Sequence, residues 1–154
     1  MPARLQLRVP AEPPAAFSEA SGQLRGHLEV HGVAGRTLYA ADLAFEELGT
    51  NILTHALAGR PAAAFDVQVN VETDRVRLVF EDDGPAFDPS AASPPQRPAS
   101  LAEARIGGLG LEMVRNAGGR LDYSRAGGKN RLEVTIHRDG GAGTGGPPAA
   151  PSGF

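Results

Sequence analysis

The chain has 154 residues, with 15 lysines and arginines against 18 aspartates and glutamates, and therefore a net charge of −3 with neutral histidines. It has no cysteine, which excludes a disulfide framework, thiolate metal sites and cysteine catalysis, and suits a reducing, cytoplasmic compartment. The slightly acidic balance argues against a nucleic-acid partner, and no apolar run reaches the roughly 18–20 residues of a membrane span. One soluble domain is expected.

Alternation of apolar and polar residues predicts three half-buried strands, around Leu5–Val9, Phe65–Val71 and Leu132–Ile136. Two further strands are predicted at Arg75–Phe80 and Leu121–Tyr123.

Helices are predicted over Pro14–Val30, over Arg36–Leu57, and from Leu109 to the glycines at 118 and 119. The second helix has the clearest periodicity, because its apolar residues recur at spacings of three and four and form one stripe. The element order favours an antiparallel or mixed sheet with helices on one face, a two-layer α+β fold. The residues of the stripe are Leu38, Ala41, Phe45, Leu48 and Ile52.

Glycine and proline are concentrated in two segments. Five prolines between residues 85 and 98 predict a long loop without paired β-strands or helices. A loop of that length is usually functional or disordered. Residues 139–154 contain six glycines and three prolines with little to bury, so we expect a disordered tail and a folded domain over residues 1–138.

On the second helix, Glu47, Asn51 and His55 are spaced by four and share one face. A solvated helix face is the simpler interpretation. The alternative is a functional ridge, since an Asn amide oxygen can ligate Mg²⁺ and a Glu one turn earlier can accept a proton.

Two later segments also have both an ordinary and a functional interpretation. Residues 81–89 can form a plain turn, or Asp82 can accept a hydrogen bond from an exocyclic amine while Gly84 lets a flat ring approach the backbone. Gly108 and Gly110 stand where a loop enters a helix, which favours an anion site, although neither a dinucleotide fingerprint nor a P-loop is complete. His27 and His31 have metal-ligand spacing but no evident third ligand, so a surface pair is expected.

Together and in this order, the three segments resemble the GHKL ATPases of the Bergerat fold, and among them the small stand-alone bacterial anti-sigma-factor serine/threonine kinases. Residues 44–56, AFEELGTNILTHA, resemble the N box of that branch. Residues 82–89, DDGPAFDP, and 106–111, IGGLGL, resemble its two glycine boxes. The resemblance covers roughly residues 4–138 and implies a Bergerat, histidine kinase-like two-layer α/β sandwich with a mixed, mostly antiparallel sheet.

The resemblance also implies roles for individual residues. Asn51 would ligate Mg²⁺, Glu47 would be the general base, and Asp82 would hold the adenine amino group of ATP. Gly84 would leave room for the adenine ring, Gly108 and Gly110 would line the phosphates, and residues of about 88–105 would form the ATP lid. Asn130 stands near the position where many relatives have a threonine that contacts adenine.

The implied function is a Mg-ATP-dependent serine/threonine kinase that phosphorylates an anti-anti-sigma protein and sequesters a sigma factor, with homodimerisation as is common in that branch. One alternative is a non-catalytic ATP-binding regulator that switches partners by nucleotide occupancy. A second is a histidine kinase fragment, which is disfavoured because no helix pair carrying a phosphoacceptor His precedes the first strand. A structural domain with coincidental glycines is the third.

Overall fold

The computed structural model describes residues 3–88, 109–116 and 119–138. The expected tail, Gly108 and all but the first residue of the expected lid lie outside the described residues. In chain order the elements are β1 (Ala3–Pro10), α1 (Ala15–Val30), α2 (Gly35–Asn51), β2 (Ala64–Val71), β3 (Arg75–Asp82), α3 (Leu109–Asn116), β4 (Arg120–Ala126) and β5 (Lys129–His137).

The described strands form one sheet in the order β1-β2-β3-β5-β4, and all four neighbouring pairs are antiparallel. Because side chains alternate along a strand, β3 and β5 each turn every second residue toward the helices. Their register places Phe80 opposite Leu132 and Asp82 opposite Asn130. The predicted two-layer α+β fold is confirmed, with a sheet that is antiparallel throughout its described strands.

Aromatic rings join the helical layer to the sheet. The ring of Phe17 in α1 stacks on Phe45 in α2 at a centroid distance of 5.3 Å. Phe45 lies 6.1 Å from Phe80 of β3, and Phe80 lies 6.5 Å from Phe65 of β2. Such pairs add to the free energy of burying the rings, so they help to fix α2 above the centre of the sheet.

A π-helical turn, Ile52–Ala56, continues α2 where the sequence predicted α-helix as far as Leu57. The N–H of Leu57 donates to the carbonyl oxygen of Ile52 over 2.8 Å, five residues back. This turn brings the Ala56 carbonyl against the loop after β3, where a Cβ added at Gly84 would lie 2.4 Å from its oxygen. Gly84 is therefore required by this close packing, whatever else it accommodates.

All five strands are longer than predicted, and two of them bear on the site. β3 continues from Phe80 to Asp82, and β4 spans Arg120–Ala126 instead of Leu121–Tyr123. In both cases backbone pairing with β5 continues through polar residues, because a ladder depends on main-chain groups and not on side-chain hydropathy. No helix in the described part of the chain is long and apolar enough to cross a membrane.

Candidate functional site

A buried polar pair lies where β3 ends and β5 begins. Asp82 is 7% exposed and Asn130 is 4% exposed. Oδ1 of Asp82 accepts hydrogen bonds from Asn130 Nδ2 over 2.9 Å and from the Gly84 N–H over 2.8 Å. Oδ2 accepts none from the described residues. A buried carboxylate needs such partners, and within the described residues they all bond to Oδ1.

The Asn130 amide also ties this pair to the hairpin of β4 and β5. Its Nδ2 donates to the Pro85 carbonyl oxygen over 2.8 Å. Its Oδ1 accepts from the Tyr123 hydroxyl over 2.5 Å and from Arg125 over 2.9 Å. The sequence placed Asn130 at the start of the last strand, near the position where many relatives have a threonine that contacts adenine, but it did not predict this network. Its place in the inward register of β5, in line with Leu132, was a usable signal.

A pocket opens beside the pair, between the end of α2 and the sheet. It encloses about 20 Å³, which is room for about one water molecule. The ten ring and amino atoms of adenine would enter only if a wall side chain moves. The wall is formed by Leu48, Asn51, Ile52, Ala56, Phe80, Asp82, Phe87, Tyr123, Asn130 and Leu132.

One wall residue, Phe87, belongs to a stacked ring pair. The exposed ring of His55, in the π-helical turn, lies 5.2 Å from the ring of Phe87, with 28° between their planes. The N–H of Phe87 donates to Asn130 Oδ1 over 3.4 Å. His55 therefore contacts the loop after β3, whereas the sequence grouped it with the polar face of α2.

The α2 wall carries the other predicted site residues. Asn51 is half-buried and lines the pocket. Glu47, one turn earlier, accepts the N–H of Leu111 through Oε1 over 3.4 Å, which brings its carboxylate to the first turn of α3. Gly110 belongs to that turn. The fold thus gathers Glu47, Asn51, Asp82, Gly84 and Gly110 around one end of the sheet, and their roles remain predictions.

The metal ligands that this site offers fit a Mg²⁺ ion that binds together with a nucleotide. Among the described residues no group of three His, Asp or Glu side chains is arranged to hold a metal. Mg²⁺ usually keeps several waters and takes one or two protein ligands together with substrate phosphates. A single half-buried amide oxygen, that of Asn51, suits this mode of binding.

An ion pair joins the segment after the π-helical turn to the loop after β3. Arg60 contacts both carboxylate oxygens of Asp83, at 3.0 and 3.1 Å. The hydrogen bond from Arg60, followed by its charge, holds the pKa of Asp83 below its ordinary value. Asp83 is thus engaged on the surface, and Asp82, its neighbour in the sequence, is the carboxylate that lines the pocket.

These features define a class of protein. Residues 9–136 match the family model of the histidine kinase-like ATPase domain, and the chain belongs to this family. The chain is 33% identical over 104 residues to the serine/threonine-protein kinase BtrW of Bordetella bronchiseptica, covering 68% of this chain and 73% of BtrW. It is 26% identical over 121 residues to the serine-protein kinase RsbW of Listeria innocua, covering 72% and 73%.

Solved structures show the same fold. The SiaB–SiaC complex of Pseudomonas aeruginosa matches with a TM-score of 0.53 at 17% identity, over 86% of this chain and 89% of the matched chain. The histidine kinase domain of the Erythrobacter litoralis blue-light activated kinase matches with a TM-score of 0.50 at 19% identity, over 79% of this chain and 63% of that domain. The family resemblance predicted from the three sequence segments is confirmed.

Proposed function

We propose that this chain binds Mg-ATP and acts as a serine/threonine protein kinase on an anti-anti-sigma protein, while sequestering a sigma factor. The kinase names of BtrW and RsbW support the activity. The structural observation that carries the proposal is the Asp82 carboxylate, which lines a pocket with one oxygen engaged by the chain and the other free of described partners. Asn51 lines the same pocket from α2.

Nucleobase recognition follows from the charge of Asp82. Its Oδ2 is an acceptor only, so it would bind the amino group of adenine and repel the carbonyl oxygen that guanine carries at the corresponding position. The apolar side chains of Leu48, Ile52 and Phe80 would cover the faces of the base.

Phosphate binding is assigned to the other end of the site. The Asn51 amide oxygen would hold Mg²⁺, which when bound neutralises phosphate charge. Gly110, in the first turn of α3, and Gly108, outside the described residues, would let phosphate oxygens approach backbone N–H groups.

Glu47 is assigned to the proton transfer. The serine hydroxyl oxygen of the partner would bond to the γ-phosphorus of ATP while its proton passes to the Glu47 carboxylate, and the bond from that phosphorus to the bridging oxygen would break to release ADP. Glu47 is half-buried on α2, one turn before Asn51, so base and metal ligand would act from one rigid element.

The test is phosphate transfer by matched variants. Proteins captured from the source cell on the immobilised chain with ADP are incubated with radiolabelled ATP, and labelled serines are mapped by mass spectrometry. We expect Glu47→Ala to keep nucleotide affinity and slow transfer by roughly 10²–10⁴-fold. Glu46→Ala, which removes the exposed neighbouring carboxylate, is the control and should transfer at the parent rate. Parent-like transfer by folded Glu47→Ala would exclude Glu47 as the base.

A second candidate function is a regulator that switches partners by nucleotide occupancy without transferring phosphate. The hydrogen bond from the Leu111 N–H to Glu47 Oε1 favours it, because a carboxylate oxygen that already accepts from the chain is less accessible to a serine hydroxyl. A parent protein that binds ATP and captures a partner, yet labels no serine on it, would establish this function in place of the kinase.

A further inference from the structure

One buried side chain organises the loop after β3. The Nδ2 of Asn130 faces three acceptors, which are Asp82 Oδ1 at 2.9 Å and the carbonyl oxygens of Pro85 at 2.8 Å and Gly84 at 3.4 Å. Oδ1 faces donors only. The amide therefore has one orientation that satisfies all of its neighbours. The donors to Oδ1 are Tyr123, Arg125 and the N–H of Phe87.

The same network decides how Asp82 is presented. Both of its hydrogen bonds, from Asn130 and from the Gly84 N–H, end on Oδ1. They hold the carboxylate in one rotamer, with Oδ2 left without a described partner beside the pocket. A carboxylate free to turn would offer either oxygen at varied angles, and hydrogen bonds weaken steeply as they leave the favoured geometry.

Resting on the proposed function, we propose that Asn130 is a positioning residue that sets nucleobase selectivity, because it fixes Asp82 so that Oδ2 alone meets the base. Both ends of the Asn130 amide are already engaged by the chain, so Asn130 acts through Asp82 and leaves the base contact to that carboxylate. The ligand class selected is a purine nucleotide with an amino group at position 6.

A double-mutant cycle tests the inference with two probes. ADP and inosine diphosphate differ at one edge of the purine, where hypoxanthine has a carbonyl oxygen in place of the 6-amino group and an N–H in place of the acceptor nitrogen at position 1. Calorimetry in the presence of Mg²⁺ gives the dissociation constants of both for the parent, Asn130→Ala, Asp82→Asn and the double variant. We expect the parent to prefer ADP by about tenfold or more, the value of one hydrogen bond to a charged group. Asn130→Ala should reduce that ratio to within about threefold of unity.

The double variant distinguishes positioning from general support of the fold. If Asn130 acts through Asp82, Asn130→Ala changes the ratio in the parent background and leaves it unchanged once Asp82 is Asn. If Asn130 only stabilised the fold, Asn130→Ala would lower the melting temperature and reduce the affinity for both nucleotides by the same factor in both backgrounds. This result would overturn the proposal. Asn70→Ala, at another buried asparagine of the sheet, is the control and should keep the parent ratio.

A second variant covers the case in which Asn130→Ala does not fold. Asn130→Asp keeps the size of the side chain and turns an oxygen toward Asp82 Oδ1. We expect selectivity to be lost at neutral pH and to recover as the pH is lowered, because a proton shared by the two carboxyl groups restores the missing donor. Unchanged selectivity in this variant at every pH would overturn the inference.

The outcomes for the inference and for the proposed function are separable. A parent that binds neither nucleotide would overturn both. A parent that prefers ADP, together with a folded Asn130 variant that keeps the same preference, would overturn the role of Asn130 and leave the proposed ATP site intact.

Discussion

Replacing Gly84 with alanine would place a methyl group where the π-helical turn already stands. The added Cβ would lie 2.4 Å from the carbonyl oxygen of Ala56 and 2.6 Å from its Cβ, both far inside van der Waals contact. Neither atom belongs to a flexible side chain end, so the loop must move away from the turn. That movement would disturb the Gly84 N–H bond to Asp82 and the bond from Arg125 to the Gly84 carbonyl oxygen.

The loss of stability expected for Gly84→Ala is that of an overpacked contact. Inserting a methyl group into a close-packed contact costs about 1–3 kcal/mol. In a domain of this size, each kcal/mol lowers the melting temperature by about 2–4 °C, so we expect Gly84→Ala to melt roughly 2–12 °C below the parent. Because the displaced loop carries the bonds that hold Asp82, the affinity for ADP should fall as well.

The assay is a thermal melt with an ADP titration of each variant. Gly26→Ala is the matched control, because Gly26 is exposed in α1 and a Cβ there meets nothing within 4 Å. Alanine should stabilise that helix by up to about 1 kcal/mol. A Gly84→Ala protein that melts and binds ADP like the parent would refute the close contact between the loop and the turn.

Two further predictions follow from other parts of the chain. Burial, and then repulsion from His31, hold the pKa of His27 below its ordinary value of 6.5. The unfolded chain therefore binds a proton at His27 more readily than the folded protein does. The free energy of unfolding should then fall as the pH drops through about 6.5. Urea melts at several pH values should show a smaller fall for His27→Gln, and equal falls would contradict this. Phe87→Ala removes one wall of the narrow pocket, so stopped-flow mixing should give faster ADP association, whereas a slower rate would show that the ring is needed for entry.

The layers of the fold could be predicted because they depend on local periodicity. Alternation along β1, β2 and β5 indicated the buried face of each strand, and the stripe on α2 indicated the helix face that covers the sheet. In the structure Asp82 and Asn130 are both buried, which is unusual for a carboxylate and an amide. Their contact could not be predicted, because they are 48 positions apart and meet only through the register of two strands.

The candidate site was predicted less completely than the layers. The three motifs named Glu47, Asn51 and Asp82. No sequence pattern indicated that two side chains of β4, Tyr123 and Arg125, would donate to the Asn130 amide that bonds to Asp82. The π-helical turn was not predicted either. Its hydrogen bonds, from the N–H of residue i+5 to the carbonyl of residue i, join main-chain groups, and the amino-acid composition of such a turn does not differ from that of an α-helix.

The π-helical turn has a consequence for insertions and deletions. Removing one residue from Ile52–Ala56 would let the chain continue as α-helix and would rotate every later position by about 100°. Ala56 would then turn away from Gly84, and His55 away from Phe87. The π-helical segment must therefore keep its exact number of residues. The exposed turn at residues 58–60 contacts the loop after β3 through the long Arg60 side chain, which can follow a shift of the backbone, so this turn should accept an extra residue more readily.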